Sequence, residues 1–398
     1  MRNGKCLIVG AGIAGTTLAY WLQRYGFEPT LVERAPALRS EGYVIDFWGA
    51  GYEVADRMDV LPMLKELSLP INEIRLVDTR GRRCGGFGGE VLRDLAGGRF
   101  LSLLRGDLAR VLYQSLHGQV RTIFGDTVTE VQQDGAGVWV EFRHAPAEQF
   151  DLVIGAGGLH SRMRNLVFGP DQRFEEFLGY YVASFAADGY PHTDPNAYVS
   201  YAAPGRQVTR YSLPDGRTIF LLVAAVEEKL DIGTHDRQSQ KDWLHLQFAD
   251  AGWECKDILK RLDRTDDLYF DSVSQIHMQA WSRQRTALVG DSCGCPSLLA
   301  GQGSALAMAG AYVLAGELMQ AHGDYRTAFA RYEDQVHPAV ARKQQGAKKF
   351  ARSFVPRSRL GILFRNEASR LMRWRPIARL AMKQPLMETL QLPDYRRH

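Results

Sequence analysis

The N-terminal segment constrains the fold more than any other part of the chain. The apolar run Lys5–Val9 leads into Gly-Ala-Gly-Ile-Ala-Gly at residues 10–15, and an apolar repeat with helical spacing follows over residues 16–25. A second apolar run over residues 28–32 ends at the acidic residue Glu33. This order predicts a strand, a glycine turn, a helix and a second strand, which together form the βαβ unit of a dinucleotide-binding fold.

Each glycine of the turn has a physical role in that interpretation. Gly10 allows the tight turn, Gly12 lets the backbone approach a pyrophosphate, and Gly15 lets the helix pack against the strand. The free N–H groups at the start of the helix attract phosphate charge, and Glu33 is placed to accept hydrogen bonds from ribose hydroxyls. The alternative is a glycine-rich turn in an ordinary α/β unit, and the turn alone does not distinguish FAD from NAD.

Two distant segments make that distinction. The first is residues 150–164, Phe-Asp-Leu-Val-Ile-Gly-Ala-Gly-Gly-Leu-His-Ser-Arg-Met-Arg, and the second is residues 285–303, which contain Arg-Thr-Ala-Leu-Val-Gly-Asp and Gly-Gln-Gly. With the N-terminal turn, in this order and spacing, they resemble the single-component flavoprotein monooxygenases of the para-hydroxybenzoate hydroxylase class. Residues 43–49 and 392–395 resemble the tetracycline-inactivating and polyketide-tailoring members of that class.

The resemblance implies a fold and a division into domains. The fold is an α/β chain with a Rossmann-like FAD-binding domain, an inserted β-sheet substrate domain and C-terminal helices. The FAD-binding domain is expected at residues 1–170 and 283–340, the substrate domain at 171–282, and the C-terminal bridging helices at 341–398.

The resemblance also implies an activity. Members of this class are FAD-dependent monooxygenases that use NAD(P)H and O2, through a flavin C4a-hydroperoxide, to hydroxylate a small molecule. We expect an aromatic or polycyclic substrate with phenolic or enolic groups. Two alternatives stay open, a related flavin reductase or desaturase and a flavoprotein that binds a ligand without oxygenating it.

Cofactor-binding residues follow from the same resemblance. Asp291 ends a predicted strand and would bind the ribityl chain of FAD. Gly301 and Gly303 precede a predicted helix over residues 304–318, whose first N–H groups would face the N1–C2=O edge of the flavin. The full set implied is Gly10, Gly12, Ala14, Gly15, Glu33, Arg34, Asp46, Arg105, Val128, Asp291, Gly301, Gly303 and Ser304.

The middle and third motifs each depart from the class at one place. Gly157 stands where the class has the acid of Gly-Ala-Asp-Gly, which helps organise the cofactor pyrophosphate and nicotinamide docking. We therefore expect a changed rate or route of reduction by NAD(P)H, with FAD binding unaffected.

In the third motif, Cys293 and Cys295 could form a redox pair or a flavin attachment, but their separation of two residues is poor disulfide geometry and favours free thiols.

The segment between these motifs predicts a sheet with helices on one side. Strands are predicted at residues 197–202, 206–213 and 217–223, a Pro-Asp-Gly hairpin at 214–216, and helices at 239–253 and 256–262.

Tyr201, Arg210 and Tyr211 are the candidates for the substrate face of this sheet. By strand alternation Arg210 and Tyr211 point to opposite faces, so only one of them can line a pocket. All three also have a structural interpretation, as do Arg105, as a surface charge at a helix start, and Asp46, as a turn residue. No catalytic residue is assigned, because in this class the cofactor carries the difficult chemistry.

Composition argues against several other classes of protein. In 398 residues with a formal net charge of +4, the excess of basic residues is too small to imply nucleic acid binding. The five cysteines are scattered and suit a reducing cytoplasm, and no cysteine–histidine grouping has the spacing of metal ligands. No apolar run is long enough to cross a bilayer. We expect a cytoplasmic monomer or homodimer without a signal peptide, a bound metal or a membrane partner.

The C-terminal part predicts helices from residue 325 onwards. Pro338 should kink or interrupt the first of them, and Pro356 should end it. Residues 360–372 and 377–382 are amphipathic and rich in arginine. They fit either a helix on a membrane surface or a terminal helix that bridges the two domains. The resembled subgroup uses such a helix as a bridge, which favours the second interpretation.

Overall fold

The structure is a computed structural model and describes residues 4–38, 43–192, 194–233, 236–372, 374, 376–378 and 390–395. These residues form eighteen strands and twelve α-helices. The strands are β1 (Lys5–Val9), β2 (Glu28–Glu33), β3 (Val44–Trp48), β4 (Glu73–Val77), β5 (Arg83–Gly88), β6 (Phe100–Leu104), β7 (Arg121–Phe124), β8 (Val128–Gln133), β9 (Val138–Phe142), β10 (Glu148–Phe150), β11 (Leu152–Gly155), β12 (Glu175–Asp188), β13 (Ala197–Ala203), β14 (Arg206–Ser212), β15 (Arg217–Ala225), β16 (Tyr269–Ile276), β17 (Ser282–Arg283) and β18 (Thr286–Leu288). The helices are α1 (Ile13–Arg24), α2 (Ala50–Arg57), α3 (Leu61–Glu66), α4 (Glu90–Leu95), α5 (Arg105–Gln114), α6 (Arg162–Val167), α7 (Arg237–Phe248), α8 (Cys255–Asp263), α9 (Asp291–Gly294), α10 (Gly303–Gln320), α11 (Tyr325–Phe354) and α12 (Arg359–Leu371).

A six-stranded sheet, in the order β17-β18-β11-β1-β2-β7, contains the predicted dinucleotide-binding unit. β1 pairs in parallel with both β2 and β11, and Ile8 lies opposite Ile154. Residues 6–9 of β1 are all buried, because central parallel strands are covered on both faces and read as continuous apolar runs. The helix of the unit begins at Ile13, earlier than the predicted residue 16, since Gly12 already forms its N-terminal boundary.

A seven-stranded sheet, in the order β16-β12-β15-β14-β13-β4-β5, is larger than the sequence predicted. Strands β13, β14 and β15 match the three predicted strands, and the Pro-Asp-Gly hairpin joins the last two with Gly216 at a φ of 89°. Strands β12 and β16 add to them on one side. Strands β4 and β5 come from residues 73–88, outside the segment assigned to the substrate domain, so the sheet extends beyond that segment. The domain boundaries themselves stay a prediction.

Helices α7 and α8 correspond to the two helices predicted after the hairpin, and they cover one face of the seven-stranded sheet. Phe220 of the sheet packs in one apolar core with Leu244 and Phe248 of α7 and with Ile258 of α8. These helices occupy that face, so a ligand cleft has to lie on the opposite face of the sheet.

The long helix α11 is continuous over residues 325–354, so the predicted interruption at Pro338 does not occur. Proline removes one backbone donor from a helix. Here Val336, Ala339 and Val340 are buried in the core around Pro338, and this packing stabilises the helix across it. The helix ends shortly before Pro356, as the sequence predicts, because a residue that precedes proline avoids the helical region.

The last described helix, α12, packs on strands β5 and β13 of the seven-stranded sheet. It corresponds to the predicted amphipathic segment at residues 360–372, while most of the second such segment, residues 377–382, lies outside the described residues. Within the described part of the chain, no helix combines the length and the apolar character needed to cross a membrane.

Candidate cofactor and substrate cleft

A cleft of about 430 Å³ is lined by residues from both the six-stranded and the seven-stranded sheets. Protein sites for small molecules occupy roughly 300–1,000 Å³, so the cleft is large enough to hold a ligand. Most of the cofactor-binding residues predicted from the sequence line it, namely Gly10, Gly12, Ala14, Glu33, Arg34, Asp46, Arg105, Asp291, Gly301, Gly303 and Ser304. Residues that are far apart in the sequence therefore meet in one place.

Gly15 and Val128 lie outside this lining. A Cβ atom on Gly15 would lie 1.9 Å from the carbonyl oxygen of Gly10, so only glycine lets α1 pack this closely on the turn. Val128 is fully buried at the start of β8, and its carbonyl oxygen accepts a hydrogen bond from Nε of Arg162. Val128 therefore lies outside the cleft lining, and its assignment to the cofactor site stays a prediction.

Two helices begin at the cleft with unpaired backbone N–H groups. α1 begins after Gly12 and α10 begins after Gln302, and neither helix has a side chain that caps its first turn. No atom lies within 4 Å of a Cβ placed on Gly12, which leaves room for a ligand against the backbone. The N–H groups and the helix dipoles favour negative charge at both helix starts. The residues present therefore fit the diphosphate of a dinucleotide such as FAD.

Glu33 closes the glycine turn from the end of β2. Its Oε2 accepts a hydrogen bond of 2.9 Å from the N–H of Ala11, and its Oε1 accepts one of 2.9 Å from the N–H of Ala35. Each carboxylate oxygen has a second lone pair, so Glu33 can still accept a hydroxyl of a bound ribose. Arg34 is exposed beside it and lines the cleft.

Asp291 and Arg105, an acid and a base, line the same cleft. Burial raises the pKa of the Asp291 carboxyl above its ordinary value, while the positive charge of Arg105 lowers it. Asp291 begins α9 and lies at the foot of α10, because a Cβ on Gly303 would be 3.6 Å from its Oδ1. Arg105 is the first residue of α5, as the surface-charge interpretation requires, but its side chain lines the cleft.

Asp46 lies inside strand β3 and not in a turn. It is paired across the two-stranded β3–β6 sheet with Ser102, whose hydroxyl donates a hydrogen bond of 2.7 Å to its Oδ1. Burial raises the pKa of Asp46 to about 6, and the hydrogen bond from Ser102 acts in the opposite direction. A carboxyl group with this pKa can exchange a proton near neutral pH.

The middle motif is held against the third motif by buried hydrogen bonds. The N–H of Gly158 donates to Oγ of Ser292 at 3.0 Å, and the fully buried guanidinium of Arg164 donates to the carbonyl oxygen of the same serine at 2.9 Å. Arg164 also pairs with Asp171 at 2.6 Å. Gly157 directly precedes Gly158 and lines the cleft, so a side chain at this position would face the cleft.

Cys293 and Cys295 are separate, buried thiols. Burial raises the pKa of each thiol well above its ordinary value. Both therefore stay protonated at neutral pH, which makes them poor nucleophiles. The geometry agrees with the free-thiol interpretation and gives no support for a redox pair.

The three substrate-face candidates, Tyr201, Arg210 and Tyr211, do not line the cleft, so the structure gives no support for their predicted role. Arg210 is buried under α8, where it pairs with Asp194 at 2.7 Å and with Glu254 at 2.8 Å. The hydroxyl of Tyr211 donates to the carbonyl oxygen of Pro70, and the hydroxyl of Tyr201 accepts from the N–H of Gly252. Arg210 and Tyr211 do face opposite sides of the sheet, but neighbouring elements cover both sides at that point.

Other residues of the cleft lining were not assigned to any site from the sequence. They are mainly aromatic and apolar: Tyr43, Leu221, Tyr269, Phe350 and Phe354, with the acid Asp271 among them. The ring centroids of Tyr43 and Tyr269 lie 5.3 Å apart, and both residues line the cleft. Burial raises the pKa of Tyr43 to about 12, so its hydroxyl stays protonated and can donate a hydrogen bond. A sequence signal for part of this wall is the β-rich run at residues 269–276, which forms β16.

The chain matches the FAD binding domain family over residues 4–346 and belongs to that family. A flavin-dependent monooxygenase of an unknown prokaryotic organism is 34% identical over 99% of both chains, and one from Legionella longbeachae is 32% identical over the same shares. Among solved structures, the tetracycline destructase Tet(55) is 31% identical and superposes with a TM-score of 0.84 over 99% of both chains. The complex of Klebsiella pneumoniae HpxO with FAD and uric acid, 22% identical with a TM-score of 0.80 over 96% of this chain and 97% of that one, shares the fold.

These comparisons confirm the predicted fold and the predicted class of enzyme. The chain is an FAD-dependent monooxygenase with an α/β FAD-binding fold, an added sheet and C-terminal helices. Among the described residues, no group of three or more His, Cys, Asp or Glu side chains could hold a metal ion.

Proposed function

We propose that this monooxygenase hydroxylates an aromatic or polycyclic phenol or enol, with NAD(P)H and O2 as co-substrates. One observation carries the proposal: a single cleft joins the uncapped helix starts at Gly12 and Gln302 to an aromatic wall at Tyr43 and Tyr269. The two helix starts suit the phosphates of a dinucleotide, and the two tyrosine rings suit a flat, apolar molecule beside it.

Bound FAD would supply the redox chemistry, because it can take electrons from NAD(P)H and activate O2 for the insertion of one oxygen atom into the substrate while the second oxygen leaves as water. The protein provides orientation, exclusion of water and stabilisation of charge. Leu221, Phe350 and Phe354 line the cleft and would shield a bound substrate from water. The first N–H groups of α10 stabilise negative charge on a bound group, and Asp46 can take up a proton at its carboxylate.

The substrate class is supported by the relatives as well as by the cleft. Tet(55), 31% identical over 99% of the chain, is a tetracycline destructase. Tetracyclines are polycyclic and carry phenol and enol groups, so they belong to the class of molecule that the aromatic wall favours. We include them among the molecules to be tested.

The decisive experiment follows oxygen into product. Purified protein with its flavin is mixed with NADH or NADPH and a panel of phenols, polycyclic phenols and tetracyclines under oxygen-18 gas. We expect one panel member to give a product that contains one atom of the label and to consume NAD(P)H in step. Consumption of NAD(P)H with an unlabelled, reduced or desaturated product would support the reductase or desaturase alternative instead.

Two variants locate the reaction in the cleft. Tyr43→Leu removes one ring of the aromatic wall, so we expect KM for the substrate to rise and part of the NAD(P)H to be consumed without product. Tyr201→Phe is the control, because Tyr201 lies outside the cleft in the core under α8. Equal effects of the two changes would show that substrate binds elsewhere.

A further inference from the structure

Helix α12 carries its large apolar side chains on the side that faces solvent. Leu360, Leu363, Phe364 and Leu371 are 52% to 80% exposed, and Trp374, just beyond the helix, is 69% exposed. With helical spacing these residues share one face, and we refer to these five as the apolar ridge. An exposed apolar patch of this kind marks an interaction surface.

The opposite face of α12 is polar and buried, the reverse of an ordinary surface helix. Oγ of Ser369 accepts a hydrogen bond of 2.8 Å from the N–H of Gly86 on β5. Nδ2 of Asn366 donates to Sγ of Cys84 at 3.1 Å. The buried side chains of α12 thus meet the sheet through polar contacts, while more than half of the surface of each ridge side chain stays exposed. A segment that places leucine and phenylalanine outward needs a second apolar surface to cover them.

The charges around the ridge indicate what that surface is. Residues 357–383 contain eight arginine or lysine residues and one acid, in a chain whose net charge is only +4. On the helix itself Arg359 and Arg370 are exposed. The acid, Glu367, lies within the ridge and pairs with Arg370 at 2.6 Å. Leucine, phenylalanine and tryptophan bordered by arginine are typical of helices that lie in the interface of an anionic bilayer.

Against the expectation of a bridging helix without a membrane partner, we propose that α12 docks this protein on the surface of an anionic lipid bilayer, with the apolar ridge at the boundary between headgroups and acyl chains. The helix has 13 residues and is about 20 Å long, whereas the hydrocarbon core is about 30 Å thick, so it lies along the surface and does not span it. A second copy of the chain fits less well, because a two-fold contact through the ridge would bring the same arginines together.

The docking surface adjoins the cleft. Nη1 of Arg365 on α12 donates to the carbonyl oxygen of Phe354, and Phe354 lines the cleft. Phe350, one turn earlier on α11, lines the cleft and is itself partly exposed. Docking through α12 therefore brings the substrate end of the cleft close to the bilayer.

The test measures binding of the flavin-loaded protein to vesicles. Vesicles of phosphatidylcholine alone are compared with vesicles that also contain phosphatidylglycerol, in a flotation assay at low and high salt. We expect at least tenfold more binding to the anionic vesicles at low salt, and a loss of that difference at high salt, where the charges are screened. No binding to either vesicle, or equal binding to both, overturns the proposal.

Variants show whether the apolar ridge is responsible for vesicle binding. Leu363→Ser with Phe364→Ser should abolish vesicle binding and leave flavin content and NAD(P)H oxidation unchanged. Leu246→Ser is the matched control, because Leu246 is a leucine of similar exposure, 76%, on the distant helix α7. Glu367→Gln removes the acid of the segment and should strengthen binding. Equal vesicle binding by wild type and the double variant would overturn the assignment to α12.

Light scattering decides between a bilayer and a second copy. If the ridge docks on lipid, wild type and the double variant have the same mass in solution without vesicles. A wild-type dimer that the double variant converts to monomer would overturn the proposal, because a second copy would then cover the ridge.

Discussion

His160 and Asp271 join the loop after β11 to strand β16, with Nε2 of the histidine 3.0 Å from Oδ1 of the acid. Asp271 also lines the cleft, while the side chain of His160 is 42% exposed. The loop that contains Gly157 is thus tied to the substrate-side sheet by one pair whose charge depends on pH.

The strength of this pair should fall as pH rises. The hydrogen bond to Asp271 raises the pKa of His160 above its ordinary value of 6.5, against the effect of burial. The pair therefore stabilises the fold fully below pH 6.5, and this contribution is lost as pH rises through the raised pKa. It is worth less than about 1 kcal/mol, because the imidazole is partly in water.

Histidine titration by NMR checks this directly. Asp271→Asn should bring the pKa of His160 back towards its ordinary value. Asp263→Asn, which removes the partner of His245, should leave the titration of His160 unchanged. An unaltered pKa in Asp271→Asn would mean that the pair does not form in solution.

Asp46 should make the flavin-free protein less stable as pH rises. Burial raises the pKa of Asp46 to about 6, so the unfolded state loses its proton first and stability falls between about pH 4 and pH 6. At neutral pH the cost is about 1–3 kcal/mol, after allowance for solvent in the cleft. Asp46→Asn should remove it, as measured by denaturant unfolding across this pH range.

Ser102 gives a matched variant for the same carboxyl. Its hydrogen bond lowers the pKa of Asp46, so Ser102→Ala should raise that pKa further and extend the loss of stability to higher pH. Parallel pH profiles for wild type and Asp46→Asn would contradict the assignment of this effect to Asp46.

Glu33→Ala should weaken FAD binding by about 1–3 kcal/mol, because the change removes a hydrogen-bonding partner of a buried polar group. It also removes the acceptor of the Ala11 and Ala35 N–H groups, which loosens the turn. Equilibrium titration of flavin-free protein with FAD measures the loss. Glu28→Ala, at the exposed start of the same strand, is the control and should bind FAD as wild type does.

Local backbone requirements explain why half of the cleft could be predicted from sequence. Glycine is required at position 15 by the nearby carbonyl of Gly10, and at position 10 by Ala156 after the neighbouring strand β11. Both requirements follow from the strand–turn–helix unit itself, so the sequence motif predicts this part of the cleft. The substrate half depends on which elements cover which face of a long-range sheet. Alternation correctly places Arg210 and Tyr211 on opposite faces. No local pattern, however, shows that Glu254 would cover Arg210, or that β16 would bring Tyr269 to the cleft.

Asp291→Ala should give a folded protein with little flavin. The carboxylate lies at the foot of α10 within the cleft, and we expect it to bind the ribityl hydroxyls of FAD. Loss of a buried hydrogen-bonding partner of this kind weakens binding by about 1–3 kcal/mol. Flavin absorbance per protein, with circular dichroism as the test of folding, measures the effect.

Asp291→Asn keeps the shape of the side chain and should retain more flavin than Asp291→Ala. Full flavin content in Asp291→Ala would show that this residue does not hold the cofactor.

Gly157→Asp should speed reduction of the flavin by NAD(P)H. We expect the wild type to be reduced slowly when alone and faster with substrate, a gating step of the kind that loops perform. The position tolerates a side chain: a Cβ there meets its nearest atom, Cα of Ser161, at an ordinary 3.4 Å, and its backbone lies outside the left-handed region that Gly158 occupies at a φ of 74°.

Stopped-flow reduction of wild type, Gly157→Asp and Gly157→Ala at equal FAD occupancy separates charge from bulk. The alanine variant adds a side chain without an acid, so it should be reduced as slowly as the wild type. If both variants are reduced equally fast, the added bulk has moved the loop and the acid is not the cause. Fast reduction of the wild type without substrate would contradict the docking argument, and Gly157 would then be a neutral difference from the class.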